Sequence, residues 1–340
     1  MLRSSTDPLM RAYDLVMLDL DGVVYIGPRA VEGAPEHLER VRSAGTHLAF
    51  VTNNAARPPE AVAAHLTRLG VAADPEDVVT SAQAAARLLT DLVRPGAPVL
   101  LVGGPGVELA LRERGFEPVT TLEAKPEAVV TGYGPDLPWK QLMLGAVQIR
   151  AGLPWVASNT DMTIPTAFGL GPGHGVVVRM LAEFSGKSPA VAGKPERPLL
   201  DETVSRVGGT HPLMVGDRLD TDILGAHNAE VDSLLVLTGV TGLAELVTAP
   251  PEQRPTFLAC DLGGLLTPHP EVVQQHDAWG VGGWRGTVKD GDLVVEGDGG
   301  VDDWWRCAAA TAWQHLDATG QPVDVSGLAP AMSATGSSDG

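Results

Sequence analysis

From the N-terminus to about residue 266, short apolar runs alternate with segments of helical period. The runs 14–20 (DLVMLDL), 46–53 (THLAFVTN), 98–104 (PVLLVGG), 127–133 (EAVVTGY), 153–159 (LPWVASN), 211–217 (HPLMVGD) and 232–239 (DSLLVLTG) are rich in Val and Leu. They are apolar on both faces, as strands covered by helices must be. Between them lie segments such as 59–70 (PEAVAAHLTRLG), where Ala61, Val62, His65, Leu66 and Leu69 set an apolar stripe. Pro58–Pro59 mark its start and Gly70 its stop. The alternation predicts an α/β protein with a doubly wound, mainly parallel sheet and helices on both faces.

The pattern changes after about 266. Five of the seven Trp (279, 284, 304, 305 and 313) fall in the last 78 residues, with eleven carboxylates against three basic residues. Residues 283–299 read as two strands around an Asp290-Gly291-Asp292 turn. Residues 301–320 read as a helix stopped by Gly320, with Trp304, Ala308, Ala312 and Leu316 on one face. This predicts a small α+β extension over 267–325, followed by a flexible tail of small and polar residues over 326–340.

Length and charge narrow the class. A chain of 340 residues predicts two or three compact units. With 24 Lys and Arg against 42 Asp and Glu, the formal charge is −18, which argues against a nucleic-acid partner. A small anionic substrate would need a local positive site built against that field. No run approaches 18 uncharged apolar residues, so no membrane span is expected, and the N-terminus lacks the apolar core of a signal peptide. The two cysteines, Cys260 and Cys307, form no CxxC pair, so neither a disulfide framework nor a cysteine zinc site is expected. The expectation is a soluble cytoplasmic protein.

Four segments carry candidate chemistry. DLDGV (19–23) falls where an apolar run ends, the address of ligand sites in open α/β sheets. Asp19 and Asp21 there can divide nucleophilic attack and proton transfer, with a cation offsetting their repulsion. Read plainly, Asp-Gly is also an ordinary acidic turn. VTNN (51–54) follows another run, and the hydroxyl of Thr52, the amides of Asn53 and Asn54 and exposed backbone N–H groups suit phosphate oxygens. The same residues are common helix caps and turn formers. Lys194, one of only five lysines, sits between Gly and Pro, where it can offer a point charge to a phosphoryl group, or simply decorate the surface. In VGDRLDTDILGA (215–226), Asp217 ends a run while Asp220 and Asp222 stand where a helix should begin. Grouped carboxylates suit Mg²⁺, and the plain alternative is helix capping by Asp220 and Thr221.

In this order, DLDGV, VTNN, GKPE and GDRLDTDI resemble the four motifs of the haloacid dehalogenase superfamily of phosphohydrolases, over roughly residues 10–266. The long interval between the second and third motifs resembles the large-cap branch with NagD, 4-nitrophenylphosphatases and phosphoglycolate phosphatases. VVTGYGPDLPWKQL (129–142), VASNTDMTIPT (156–166) and GLGPGHG (169–175) are similar to that branch, and the extension resembles that of actinobacterial glycerol-3-phosphate phosphatases. The resemblance implies a Rossmann-like core over 1–81 and 189–266, with an α/β cap inserted at 82–188. It implies Asp19 as the nucleophile that forms an aspartyl-phosphate and Asp21 as general acid and then base. It implies Thr52, Asn53, Asn54 and Lys194 as phosphoryl ligands. Mg²⁺ would be held by Asp19, the Asp21 carbonyl and Asp217, with Asp222 behind, orienting Lys194 or a metal-bound water. Asn159 and Asp161 are candidates for reading the leaving alcohol, and Gly171–Gly175 would let backbone approach it. A glycine-rich hinge and a capped strand end fit those residues equally.

Other motifs fail on spacing. GKS at 186–188 lacks the first P-loop glycine, which falls at Leu181, and Gly104-x-Gly106 is followed by Leu109 where a dinucleotide site needs glycine. There is no GxSxG and no HxH or HExxH. The expected function is hydrolysis of a small phosphate ester, with glycerol 3-phosphate first. Other substrates of the branch, 2-phosphoglycolate, nucleotide monophosphates and 4-nitrophenyl phosphate, stay open. Competing readings are a regulatory or binding protein with a vestigial phosphatase core and a Trp-rich interaction segment, and an extension that is an inactive acyltransferase-like remnant. Related enzymes often pair through their caps, which leaves a homodimer open.

Overall fold

In the computed structural model, residues 2–166 and 169–329 are described. The expected tail lies largely outside them, at 330–340. The chain divides into two compact units, Met1–Leu48 with Thr210–Gly340, and Ala49–Gly209.

The first unit is built on parallel strands in the order Phe257–Ala259, Asp232–Val236, Pro212–Gly216, Leu15–Leu18. Every residue of Leu15–Leu18 is buried, as the two-sided apolar run requires. The helices Leu224–Ala229 and Leu243–Val247 connect successive strands. Beyond them lies an antiparallel sheet of Val273–Gln275, Ala278–Val281, Trp284–Lys289 and Asp292–Gly297. Lys289 pairs with Asp292 around a two-residue turn in which Asp290 and Gly291 both have positive φ, 53° and 93°. That is the mirror-image turn that suits strand twist, and it matches the expected hairpin.

The last helix, Val301–Thr319, ends at Gly320 with φ 71°, as its sequence predicts. Its burial is wider than a single stripe. Ala309 and Trp313 join a cluster with Leu235, Leu246 and Leu258, against the parallel sheet. Trp304, Ala308 and Ala312 join a second cluster with Val247, Leu293 and Val323. A helix lodged between two layers must be apolar on both sides, so a one-face reading of it falls short. Arg306 is buried along with these faces, and its Nε donates to the Leu258 carbonyl at 2.8 Å. The extension therefore covers the Phe257–Ala259 end of the parallel sheet, and three of its five Trp (279, 304 and 313) are buried.

The second unit holds a five-stranded parallel sheet in the order Ala190–Val191, Trp155–Ala157, Ala128–Thr131, Pro98–Val102, Glu117–Val119. Its hydrophobic core gathers Leu100, Val102, Val129, Trp155 and Ala157 with Leu142, Ile149 and Leu181 of two flanking helices. Trp155 is thus a core residue, with its indole N–H on Thr131 Oγ1 at 3.1 Å. His47–Thr52 pairs in parallel with Val78–Thr80. The predicted helix at 59–70 spans Pro59–Arg68, with Gly70 at φ 87°. It buries Pro59, Val62, Ala63 and Leu66, so Ala63 takes the place expected for Ala61. Two alanines two positions apart carry too little apolar contrast to fix the phase of a stripe.

Candidate active site

In the first unit, the strands Leu15–Leu18 and Pro212–Gly216 run side by side, and both release an aspartate just past their ends. The Asp19 N–H still donates to the Val215 carbonyl at 2.9 Å, which holds the two ends in register. One carboxylate oxygen from each of Asp19, Asp217 and Asp222 lies within 4.8 Å of the others. Asp217 is 0% and Asp222 1% exposed.

Three glycines make room for this cluster. Gly22 has φ 87°, and a Cβ there would stand 2.5 Å from Asp217 Oδ2. A Cβ at Gly216 would occupy the space of the Asp222 side chain, and one at Gly239 would stand 2.5 Å from Asp217 Cγ. The loop after Asp232–Val236 then fixes Asp217. Val240 N–H donates to its Oδ2 at 2.7 Å, and the Thr241 hydroxyl donates to its backbone carbonyl at 2.6 Å. Thr238 Oγ1 ties the same loop to the Gly22 carbonyl at 2.5 Å. Asp222 Oδ2 accepts the Arg218 N–H at 3.1 Å, at the opening of a π-helical turn over Leu219–Ile223. Asp220 instead points to the surface in an ion pair with Arg218 at 2.9 Å, so it neither caps the helix nor joins the cluster. Asp21 is exposed, and the Tyr25 hydroxyl reaches its Oδ2 at 3.4 Å.

Three carboxylates this close repel one another, and two of them are out of water, so a divalent cation is the natural partner. Hard oxygens on a set of this size fit Mg²⁺, which keeps several waters and takes few protein carboxylates. Asp222, expected behind the ligands, offers a carboxylate oxygen to the same group of three.

In the second unit, residues 52–54 leave the end of His47–Thr52. Thr52 Oγ1 accepts the Asn54 N–H at 3.1 Å, and Asn54 Oδ1 accepts the Ala56 N–H at 2.9 Å. These are loop-forming contacts, and the Thr52 hydroxyl keeps its own proton for donation. Asn53 grips Lys194: its Oδ1 accepts the Lys194 N–H at 2.9 Å and its Nδ2 donates to the Lys194 carbonyl at 2.9 Å. The second Nδ2 proton goes to Asp161 Oδ1 at 3.0 Å. Both side-chain donors of Asn53 are thus engaged, so what it can offer a phosphoryl group is its backbone N–H.

Lys194 is 1% exposed, and its Nζ donates to the Val51 carbonyl at 3.4 Å. Asn159, 3% exposed, donates from Nδ2 to the Asn53 carbonyl at 2.7 Å and accepts the Asp161 N–H at 3.1 Å. The Asn159 side chain is turned toward Asn53. One residue missed in the sequence belongs here: Ser81, fully buried, donates to the Asn53 carbonyl at 2.6 Å. Its signal was the capping box Thr80-Ser81-Ala82-Gln83, which opens the helix Ser81–Leu89.

No helix among the described residues is long and apolar enough to cross a membrane. The family described as haloacid dehalogenase-like hydrolase matches residues 16–117, and a second HAD-hydrolase-like description matches 191–265. The chain is 43% identical over 303 residues to a D-glycerol 3-phosphate phosphatase of Mycobacterium tuberculosis, covering 87% of this chain and 82% of that one. It is 33% identical to an acid sugar phosphatase of Staphylococcus aureus, over 70% and 91% of the two chains. A crystal structure of a glycerol phosphate phosphatase from M. tuberculosis, in complex with magnesium, superposes with a TM-score of 0.84 at 40% identity, covering 94% of each chain. At that coverage the likeness includes most of the segment after residue 266. The motif order, the carboxylate cluster and these likenesses agree, and the chain belongs to the haloacid dehalogenase-like hydrolase family.

Proposed function

We propose that this chain is a Mg²⁺-dependent phosphomonoesterase that hydrolyses glycerol 3-phosphate to glycerol and phosphate. The observation that carries the reading is the Asp19–Asp217–Asp222 cluster, with Asp217 and Asp222 buried and Asp19 half-buried, at two adjacent strand ends with Asp21 beside it. The substrate rests on likeness to the mycobacterial D-glycerol 3-phosphate phosphatase.

Asp19 attacks the phosphorus and becomes an aspartyl-phosphate, while Asp21 protonates the departing alkoxide. Asp21 then takes a proton from the water that hydrolyses the acyl phosphate. The exposure of Asp21 and its Tyr25 contact support this proton traffic. Thr52 donates its hydroxyl, Asn53 its backbone N–H and Lys194 its charge to the phosphoryl group, with Asn54 beside them shaping the loop. Asp19, Asp217, Asp222 and the Asp21 carbonyl would hold Mg²⁺. When bound, the ion supplies charge that offsets repulsion between the carboxylates and the phosphoryl oxygens.

Residues 82–188 form the cap in this proposal, closing over the ester and excluding water, with 1–81 and 189–266 as the core. The proposal includes action in the cytoplasm, where small phosphorylated metabolites are kept, and pairing of two copies through the cap. Supporting the pairing, Trp139, Met143 and Val147 stand exposed at four-residue spacing on the helix Trp139–Arg150. The test of function is phosphate release from a panel of phosphomonoesters with Mg²⁺, beside Asp19→Asn and a chelator control. Preference for glycerol 3-phosphate, abolished by both controls, is the expected result. Preference for 2-phosphoglycolate, a nucleotide monophosphate or 4-nitrophenyl phosphate would keep the mechanism and replace the substrate. No turnover above the Asp19→Asn background would refute the reading.

A further inference from the structure

We infer that Ser81, Asn159 and Asp161 are positioning residues for Lys194, acting through Asn53. The inference rests on the reading of Lys194 as the cation that meets the phosphoryl group. Lysine is a poor choice for a fixed charge, because its four-carbon stem has much freedom to lose. Here the freedom is removed from the backbone outward. The Asn53 amide spans both main-chain polar groups of Lys194, accepting its N–H and donating to its carbonyl, each at 2.9 Å. That two-point grip sets where the stem begins, and the Val51 carbonyl meets the ammonium at the other end.

Asn53 sits on a loop, so something else must hold it. Three side chains do so from two other parts of the chain. Ser81 Oγ at 2.6 Å and Asn159 Nδ2 at 2.7 Å both donate to the Asn53 main-chain carbonyl, filling its two lone pairs. Asp161 Oδ1 takes the Nδ2 proton that the Lys194 carbonyl does not, at 3.0 Å, and so fixes the rotation of the amide. Asn159 in turn accepts the Asp161 N–H, making the pair one unit. The fit depends on Gly193, where a Cβ would stand 2.6 Å from Asn53 Oδ1 and 2.7 Å from the Ser158 carbonyl.

The network also reaches the segment that leads into the hairpin Thr163–Thr166/Gly169–Pro172. Asp161 accepts the Gly175 N–H at its carbonyl, at 2.8 Å, just past that hairpin. Asn159 and Asp161 therefore act on the phosphoryl cation from a distance, and alcohol recognition is not their first role.

The test is calorimetric binding of inorganic phosphate to the full-length protein with saturating Mg²⁺, for wild type, Ser81→Ala, Asp161→Ala and Asp161→Asn. Loss of one hydrogen bond that orients a charged group predicts about tenfold weaker phosphate binding for Ser81→Ala and Asp161→Ala. Mg²⁺ affinity should stay within about twofold, because no magnesium ligand is touched. Asp161→Asn, which keeps an oxygen where Asn53 Nδ2 donates, should recover most of the loss. Ser81→Ala removes one oxygen only, and it decides the matter if Asp161→Ala melts below the assay temperature. Phosphate affinity unchanged in folded Ser81→Ala would overturn the inference, as would parallel losses of phosphate and Mg²⁺ binding or an Asp161→Asn no better than Asp161→Ala. A wild type that binds phosphate but turns over no ester would sink the phosphatase reading alone, since this readout does not need turnover.

Discussion

Replacing Gly239 by alanine should disable the enzyme without unfolding it. Gly239 is absent from the residues with positive φ, so the added methyl brings a steric effect and no backbone strain. Its Cβ would stand 2.5 Å from Asp217 Cγ and 2.8 Å from Asp217 Cβ. Ordinary carbon contacts begin near 3.5 Å, so the carboxylate must retreat by about 1 Å. It cannot retreat freely, because it is buried and held at Oδ2 by Val240 N–H. A displacement of that size at a reacting centre costs about 100-fold, or about 2.7 kcal/mol of transition-state stabilisation. Phosphate release should fall by that factor, with a raised half-saturation for Mg²⁺. The melting temperature, measured alongside, should show that the variant is folded. Gly327→Ala, where an added Cβ meets nothing within 4 Å, is the control and should behave as wild type. Wild-type turnover and Mg²⁺ dependence in Gly239→Ala would refute the assignment of Asp217 as a metal ligand.

Four further outcomes follow. Arg306 is buried, bonds the Leu258 carbonyl and pairs with the partly exposed Asp303 at 2.8 Å, so Arg306→Met should lose about 1.5–3 kcal/mol in urea unfolding, and deletion after 266 should yield insoluble protein. A soluble, active truncation would instead make the extension a separable module. Burial lowers His174 from 6.5 to about 4, so the unfolded chain takes up a proton between those pH values that the folded chain refuses. Stability is therefore full above about pH 6.5 and falls by up to about 3 kcal/mol toward pH 4, and His174→Gln should flatten that part of the melting-temperature profile. Light scattering on Trp139→Glu should report monomers where wild type reports dimers; a monomeric wild type would remove the proposed pairing through Trp139–Arg150.

Much of this fold was legible in the chain. All seven apolar runs became strands, because parallel strands buried on both faces leave an uninterrupted apolar signature. Glu117–Val119, Val78–Thr80 and Ala190–Val191 escaped, since two or three residues are too few to show a period. The aspartates were visible because they stand directly after readable runs. The part played by Asn53 was not: its partners lie 108 and 141 residues away, and only the folded chain brings Asp161 and Lys194 to one amide. Ser81 opens the helix Ser81–Leu89, and its contact with the Asn53 carbonyl, 28 residues away, exists only in the folded chain. The Trp-rich segment suggested partner binding or packing, and the two clusters around Val301–Thr319 favour packing.

The central claim is that Asp19 carries the phosphoryl group. Acid quenching during steady turnover of glycerol 3-phosphate, followed by peptide mass spectrometry, tests it most directly. The account predicts a phosphoryl adduct on the peptide containing Asp19 that is absent from Asp19→Asn and from chelated enzyme. Sustained turnover with no adduct on that peptide, or undiminished turnover by Asp19→Asn, would contradict it.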